Sequence, residues 1–142
     1  MRNAASQRPR VLVVEDDASL RRLLEIRLGA DGYDTRSAGD GAEALDVLAG
    51  WLPHVIVTDV MMPRLSGLSL CRAVRADART AAIPVILLTA RYFDNDMQDV
   101  VDLGGVTFMS KPFDHGALTA ALRDALAGKP NPTGGVGAHH AA

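Results

Sequence analysis

Acidic side chains stand at the ends of two short apolar runs in this sequence. Glu15, Asp16 and Asp17 follow the first run directly, and Asp59 ends a later one. Like charges brought close together repel each other unless a cation compensates them. Oxygen-only ligation suits Mg²⁺, which takes one or two carboxylates directly and keeps several waters. The acids therefore indicate a magnesium site, provided that the fold brings the two runs together.

A simpler explanation covers part of this acidic run. Carboxylates at the start of a helix cap it and interact favourably with its dipole. Capping accounts well for Asp17, which precedes a segment of helical pattern. It does not account for Asp59, which lies at the end of a different strand.

Two further polar side chains follow apolar runs later in the chain. Thr89 ends one run, and Lys111 comes just after another. Taken singly, Thr89 is an ordinary strand-end residue and Lys111 an ordinary surface lysine. Taken together with the acids, a hydroxyl donor and an ammonium favour phosphoryl chemistry on a carboxylate, which needs positioning and charge compensation.

The elements that must position these groups alternate along the chain. The predicted strands are Val11–Val14, Tyr33–Ser37, Val55–Thr58, Val85–Leu88 and Val106–Met109. The predicted helices are Ala18–Leu28, Gly41–Ala49, Leu68–Ala76, Asn95–Leu103 and His115–Ala127. A fivefold β-α alternation predicts a doubly wound α/β fold with a parallel sheet and helices on both faces. The flavodoxin-like order 2-1-3-4-5 makes the first and third strands neighbours, with a crevice at their carboxyl ends.

Local signals support these elements. Asp40 and Asp114 stand at N-cap positions, and Gly29 and Gly32 are expected to close the first helix. The second strand is the most polar of the five, as an edge strand would be. Cys71 shares an apolar helix face and is expected to be a small core residue.

Composition limits the classes of function. The chain has 142 residues, 48% of them hydrophobic and 23% charged, with a net charge of -2. These values predict one globular domain without a general nucleic-acid or membrane surface. A single cysteine excludes an internal disulfide framework and fits a reducing cytosol. No apolar run reaches the roughly 20 residues of a membrane helix, and no signal peptide is apparent, so we expect a cytoplasmic protein.

Two tails are expected to frame the domain. Residues 1–9 are polar and without pattern, and residues 128–142 are rich in Gly and Pro, as in a linker or a disordered end. His139 and His140 belong to the second tail, and we expect no metal role for them. The predicted domain spans residues 10–127. It is either a protein that acts alone or a fragment of a longer regulator.

The ordered set of residues resembles a known family. It consists of Glu15-Asp16, Asp59-x-x-Met62-Pro63-x-x-x-Gly67, Thr89-Ala90 and Lys111-Pro112-Phe113. In this combination the chain is similar to the receiver domain of two-component response regulators, from about Arg10 to Ala127. The resemblance implies a signalling protein that catalyses only its own phosphorylation and dephosphorylation.

The resemblance also implies a role for each site residue. Asp59 would accept the phosphoryl group from a sensor histidine kinase, a phosphotransfer protein or a small donor such as acetyl phosphate. Asp16 and Asp59 would bind Mg²⁺ directly, Glu15 would bind it mostly through water, and the Met61 carbonyl would be the third protein ligand. Lys111 would offset the charge of the phosphoryl oxygens.

Switching is the second implication of the resemblance. After phosphorylation the Thr89 hydroxyl would move toward a phosphoryl oxygen, and Phe108 would turn inward; Phe108 is equally well explained as a core aromatic. The Lys111-Pro112 bond is expected to be cis. The fourth helix, fifth strand and fifth helix would form the surface that controls an unknown output domain or effector.

The chain departs from the family pattern in the last strand and in the fourth helix. Many DNA-binding regulators carry an acidic pair just before the aromatic of the last strand, where this chain has Val106 and Thr107, and the fourth helix contains no Lys or Arg. The dimer that depends on those charges is therefore not expected. Several aspartates make that helix acidic, either as a solvated face or as a surface for a basic partner. Met61 and Arg91 predict a bulky rim and slow loss of the phosphoryl group.

Three other classes of protein share some of these features. A haloacid-dehalogenase-type phosphatase uses similar groups, but its nucleophile opens an Asp-x-Asp motif after the first strand, where this chain has Glu15. A flavodoxin-like binding protein would need a phosphate loop there, and Glu15-Asp16-Asp17 would repel phosphate. The full residue set argues against a receiver that serves only as an interaction module, and measured phosphorylation would distinguish the two.

Overall fold

A computed structural model describes residues 8–62, 64–90 and 94–128. Over these residues the strands are β1 (Arg10–Val14), β2 (Asp34–Ala38), β3 (Val55–Asp59), β4 (Val85–Thr89) and β5 (Val106–Ser110). The helices are α1 (Ala18–Ala30), α2 (Gly41–Leu48), α3 (Gly67–Ala76), α4 (Asn95–Val101) and α5 (His115–Leu126). The strands form one parallel sheet in the order β2-β1-β3-β4-β5. The predicted fold and strand order are confirmed, with β2 at an edge.

Hydrophobic side chains from both faces of the sheet form two cores. Every residue of β3 and β4 is buried, as expected for central strands covered on both sides. One core joins the sheet to α2, α3 and α4, and the other joins it to α1 and α5. Cys71 is fully buried in the first core, which confirms its predicted place.

Aspartate caps begin several helices and confirm the capping signals. Asp17 accepts hydrogen bonds from the backbone N–H groups of Ser19 and Leu20, at 2.9 and 3.1 Å. Asp40 and Asp114 cap α2 and α5 in the same way. These caps satisfy N–H groups that have no partner within the helix.

Helix ends differ most from the prediction. Gly29 does not close α1, which continues to Ala30, whereas Gly32 does lie in the following turn with φ +99°. The fourth helix was predicted to reach Leu103, but α4 ends at Val101. The N–H of Leu103 donates to the carbonyl of Val100, so the chain tightens into a turn at this point.

The guanidinium of Arg75 holds that turn from the end of α3. It donates to the carbonyl oxygens of Ile83, Gly104 and Gly105, at 2.6, 3.0 and 3.0 Å. Burial lowers the pKa of Arg75, because charged groups are less stable away from water. Arg75 therefore ties the start of β4 and the α4–β5 turn to one helix.

Some predictions fall beyond the described residues. Most of both predicted tails, with His139 and His140, lies there, and so do Pro63 and Arg91. Within the described part of the chain, each helix is too short or too polar to cross a membrane.

Candidate functional site

The acids at the ends of β1 and β3 meet at one edge of the sheet. Val14 is paired with Thr58, so the residues that follow them lie side by side. Ligand oxygens of Glu15, Asp16 and Asp59 all lie within 4.8 Å of one another. The structure thus brings together the three carboxylates that were singled out, while Asp17 caps α1.

Lys111 contacts two of these carboxylates. Its Nζ lies 3.0 Å from Oε1 of Glu15 and 3.2 Å from Oδ2 of Asp59. The backbone places it there, because the N–H of Lys111 donates to the carbonyl of Thr89 at 2.8 Å and so holds the end of β5 beside β4. Lys111 is therefore part of the site and not a surface lysine.

Glu15 is the most enclosed of the three acids. Its side chain is 1% exposed, and its Oε2 accepts a hydrogen bond from the N–H of Asp17 at 3.1 Å. Arg21 donates to the backbone carbonyl of Glu15 at 2.7 Å. Both carboxylate oxygens of Glu15 thus have partners, whereas Asp16 is exposed to solvent.

Burial sets the electrostatics of the site. It raises the pKa of the Asp59 carboxyl, against the opposing effect of the Lys111 charge, and it also raises the pKa of Glu15. Burial alone would lower the pKa of Lys111. The hydrogen bond to Glu15 and the charge of Asp59 outweigh that effect, so the pKa of Lys111 is raised. The edge holds more negative charge than one ammonium offsets, and its all-oxygen donor set fits Mg²⁺.

The loop after Asp59 returns closely to the end of β3. A Cβ at Gly67 would lie 2.1 Å from the carbonyl oxygen of Asp59, so only glycine fits here. The N–H of Gly67 donates to the carbonyl of Val60 at 2.9 Å, and Ser66 caps α3. Met61 lies on this loop, two residues after Asp59, with 58% of its surface exposed.

Thr89 and Phe108 occupy neighbouring strands. Thr89 ends β4 and is buried, and Phe108 pairs with Leu87 across β4 and β5. Phe108 is 4% exposed and packs in the core with α4. Its aromatic ring is therefore already inward, which is the position expected after phosphorylation. The Lys111-Pro112 peptide bond is cis, as predicted.

An apolar groove opens beside the site. Its volume is about 420 Å³, and its walls include Leu20, Leu23 and Leu24 of α1 and Pro112 and Phe113 of the β5–α5 loop. Lys111 and Ala90 also line it, so the groove adjoins the acidic edge. The sequence did not predict this surface, because it depends on how the β5–α5 loop lies against α1.

The sequence also did not predict two polar contacts made by arginines near the site. Arg21 holds the end of β1, and Arg64 forms a two-point ion pair with Asp40, at 2.8 and 3.0 Å. Arg64 lies on the loop after Asp59 and has φ +66°, which is rare outside glycine. Apolar periodicity carries no signal for such long-range polar contacts.

Comparison with known proteins identifies the family. Residues 11–123 match the model of the response regulator receiver domain. The chain is 40% identical over 128 residues to the response regulator MprA of Mycolicibacterium vanbaalenii, covering 90% of this chain and 54% of the relative. It is 36% identical over 121 residues to the DNA-binding response regulator MtrA of Mycobacterium tuberculosis, covering 85% and 52%. The chain spans about half the length of the curated relatives it matches.

Solved structures agree with this result. The chemotaxis protein CheY4 of Vibrio cholerae has a TM-score of 0.78 at 30% identity, covering 84% of this chain and 99% of that one. A response regulator receiver protein from Pseudomonas putida has a TM-score of 0.77 at 36% identity, covering 82% and 97%. The chain belongs to the response regulator receiver domain family. Its class is thus that of a phosphorylation-dependent signalling switch, and not of a dehalogenase-type phosphatase or a flavodoxin-like binding protein.

Proposed function

We propose that this domain accepts a phosphoryl group on Asp59 in the presence of Mg²⁺ and thereby changes the surface formed by α4, β5 and α5. One observation carries the proposal: three carboxylates lie within 4.8 Å of one another, and Lys111 contacts both Asp59 and Glu15. An excess of charge at a buried edge is costly unless a cation is bound there, and a bound cation offsets charge on the phosphoryl oxygens during transfer.

The metal ligands in this proposal are Asp16, Asp59 and the backbone carbonyl of Met61. Glu15 acts on the ion through water, which fits the partners that already engage both of its carboxylate oxygens. When bound, Mg²⁺ supplies positive charge against the phosphoryl oxygens.

The reaction makes one bond and breaks another. An Asp59 carboxylate oxygen attacks phosphorus and forms an acyl phosphate, while the bond from phosphorus to the donor nitrogen or oxygen breaks. The electron pair leaves with the donor group. Lys111 stays beside the acceptor and compensates negative charge on the phosphoryl oxygens as the transfer proceeds. Attack by water on the same phosphorus breaks its bond to the Asp59 oxygen, releases inorganic phosphate and returns Asp59 to its carboxylate form.

The switch in this proposal runs through Thr89 and Phe108. The Thr89 hydroxyl moves to a phosphoryl oxygen on Asp59, and the shift at the end of β4 is passed to Phe108 on the adjacent strand. Because Phe108 is already buried against residues of α4, phosphorylation would stabilise this inward packing and fix α4 relative to β5. The inward packing of Phe108 and the alternative with its ring turned outward form the two-state element that phosphorylation biases.

The donor in this proposal is a sensor histidine kinase or a phosphotransfer protein. The groove between α1 and the β5–α5 loop adjoins Lys111, so a protein that delivers a phosphoryl group to Asp59 would cover it. The effector is an output domain or a separate protein.

We propose no nucleic-acid or membrane contact by residues 10–127, because basic residues are scattered over the domain. We propose a cytoplasmic location, with residues 1–9 and 128–142 as tails.

Intact-mass measurement after incubation with acetyl phosphate or phosphoramidate and Mg²⁺ tests the proposal. We expect an adduct of one phosphoryl group on the parent, none on Asp59→Asn, and none when EDTA replaces Mg²⁺. Asp17→Asn is the matched control: it retains a capping side chain and should be phosphorylated like the parent. A parent that binds Mg²⁺ but forms no adduct with either donor would contradict the proposal and favour an interaction module.

A further inference from the structure

The corner between β2 and α2, residues 38–41, contacts both chain segments that carry the acids. The carbonyl of Ala38 accepts a hydrogen bond from the N–H of Glu15 at 3.0 Å, at the end of β1. The N–H of Gly41 donates to the carbonyl of Leu65 at 3.2 Å, on the loop between β3 and α3. A Cβ at Gly41 would lie 2.5 Å from that oxygen, so the two backbones are in close contact.

An ion pair between Arg64 and Asp40 also joins the β3–α3 loop to the β2–α2 corner. The guanidinium of Arg64 meets the carboxylate of Asp40 at two points, Nε to Oδ2 at 2.8 Å and Nη2 to Oδ1 at 3.0 Å. The hydrogen bond from Arg64 is the largest cause that lowers the pKa of Asp40. Asp40 is itself fixed, because it caps α2 by accepting from the N–H of Glu43 at 2.8 Å. Arg64 thus connects the β3–α3 loop to the N-terminus of α2, which is held by its cap.

The backbone conformation of Arg64 indicates that its contacts constrain this part of the loop. A non-glycine residue with φ +66° is uncommon and persists where the surroundings impose it. Three residues away, Gly67 fixes the other end of the loop against Asp59 and Val60. Met61 lies between Asp59 and Arg64, so both ends of its segment are held.

We propose that Arg64 is a positioning residue for phosphoryl acceptance. Its ion pair with Asp40 holds the β3–α3 loop on the β2–α2 corner, and so keeps the Met61 carbonyl in place for the metal. This inference rests on the proposed function, in which that carbonyl is a ligand. Exposed ion pairs usually add little to folding stability. If this pair only stabilised the fold, removing it would leave the magnesium dependence of the reaction unchanged.

Two substitutions break the pair while preserving the local structure. Arg64→Gly suits a positive φ, and Asp40→Asn keeps a capping oxygen on α2. The measured quantity is the Mg²⁺ concentration that gives the half-maximal rate of adduct formation with acetyl phosphate. We expect each variant to need three- to tenfold more Mg²⁺ than the parent. The double variant should need no more than the worse single variant, and Arg64→Lys should be intermediate.

An exposed ion pair elsewhere provides the control. Arg79 and Asp77 form a pair at 3.2 Å beyond the end of α3, and Asp77→Asn should leave the Mg²⁺ dependence unchanged. If the parent is phosphorylated and both Arg64→Gly and Asp40→Asn keep its half-maximal Mg²⁺ concentration, the inference is wrong, whatever happens to their unfolding curves. If the parent itself forms no adduct, the proposed function fails instead.

Discussion

The ammonium nitrogen of Lys111 lies 3.2 Å from a carboxylate oxygen of Asp59. Cation and proposed acceptor are thus in contact before any donor arrives. The same nitrogen also contacts Glu15, so Lys111 is shared between two buried acids. A group held in this way needs little rearrangement when charge develops on a transferring phosphoryl group.

Replacing Lys111 tests this preorganised charge. We expect Lys111→Met to lower the rate of phosphorylation by acetyl phosphate by about 10²–10³, the usual cost of removing one donor from a charged transition state. Mg²⁺ binding should persist, because the three carboxylates remain. Rate measurements at saturating Mg²⁺ separate the two effects, and an unchanged rate would show that Lys111 only balances charge in the resting protein.

The raised pKa of Asp59 predicts the direction of a pH effect on stability. Burial raises this pKa above its value in the unfolded chain, so the folded state binds the proton more tightly. The free energy of unfolding is therefore greater at a pH below the unfolded pKa of Asp59. It falls as the pH rises through the folded pKa. In EDTA at neutral pH, Asp59→Asn should have a higher free energy of unfolding than the parent. Urea titrations at pH 5 and pH 7 measure this, and the difference between the two proteins should be smaller at pH 5.

Removing the Thr89 hydroxyl should separate phosphorylation from switching. Thr89→Ala is expected to form the Asp59 adduct, because the acids and Lys111 remain in place. Without the hydroxyl, phosphorylation should no longer shift the NMR signals of Phe108 and of α4. Identical shifts in the parent and in Thr89→Ala would exclude Thr89 as the link to β5.

The exposed side chain of Met61 is expected to slow hydrolysis of the acyl phosphate by keeping water from phosphorus. Met61→Asn should lose the phosphoryl group several-fold faster, while its backbone carbonyl remains available to the metal. The decay of the adduct after removal of acetyl phosphate measures the rate, and equal rates in both proteins would contradict the idea.

Arg75 should stabilise the fold through its three carbonyl contacts. Arg75→Met keeps much of the apolar length of the side chain but removes the donors, and we expect a loss of about 1–3 kcal/mol, mostly from the carbonyl groups left without their partner. Urea unfolding measures the change. Arg72→Met is a useful control, because Arg72 lies on the exposed side of the same helix and should change stability much less.

The sequence predicted the sheet order and the meeting of Glu15 and Asp16 with Asp59, because apolar runs and right-handed crossovers determine which strand ends are neighbours. It did not predict that Lys111 binds Glu15, nor that Arg64 binds Asp40. These contacts join residues that are 96 and 24 positions apart, and they depend on the rotamers of long side chains. The end of α4 was also missed, since the turn at Gly104 and Gly105 is held by Arg75 from another helix.

The contact between Gly67 and the backbone of Asp59 has a consequence for how this loop can evolve. Seven residues, Val60 to Ser66, separate the two, and the segment is closed by the approach of one backbone to the other. An inserted or deleted residue would displace either Asp59 or the start of α3. We therefore expect this loop to tolerate changes of side chain better than changes of length.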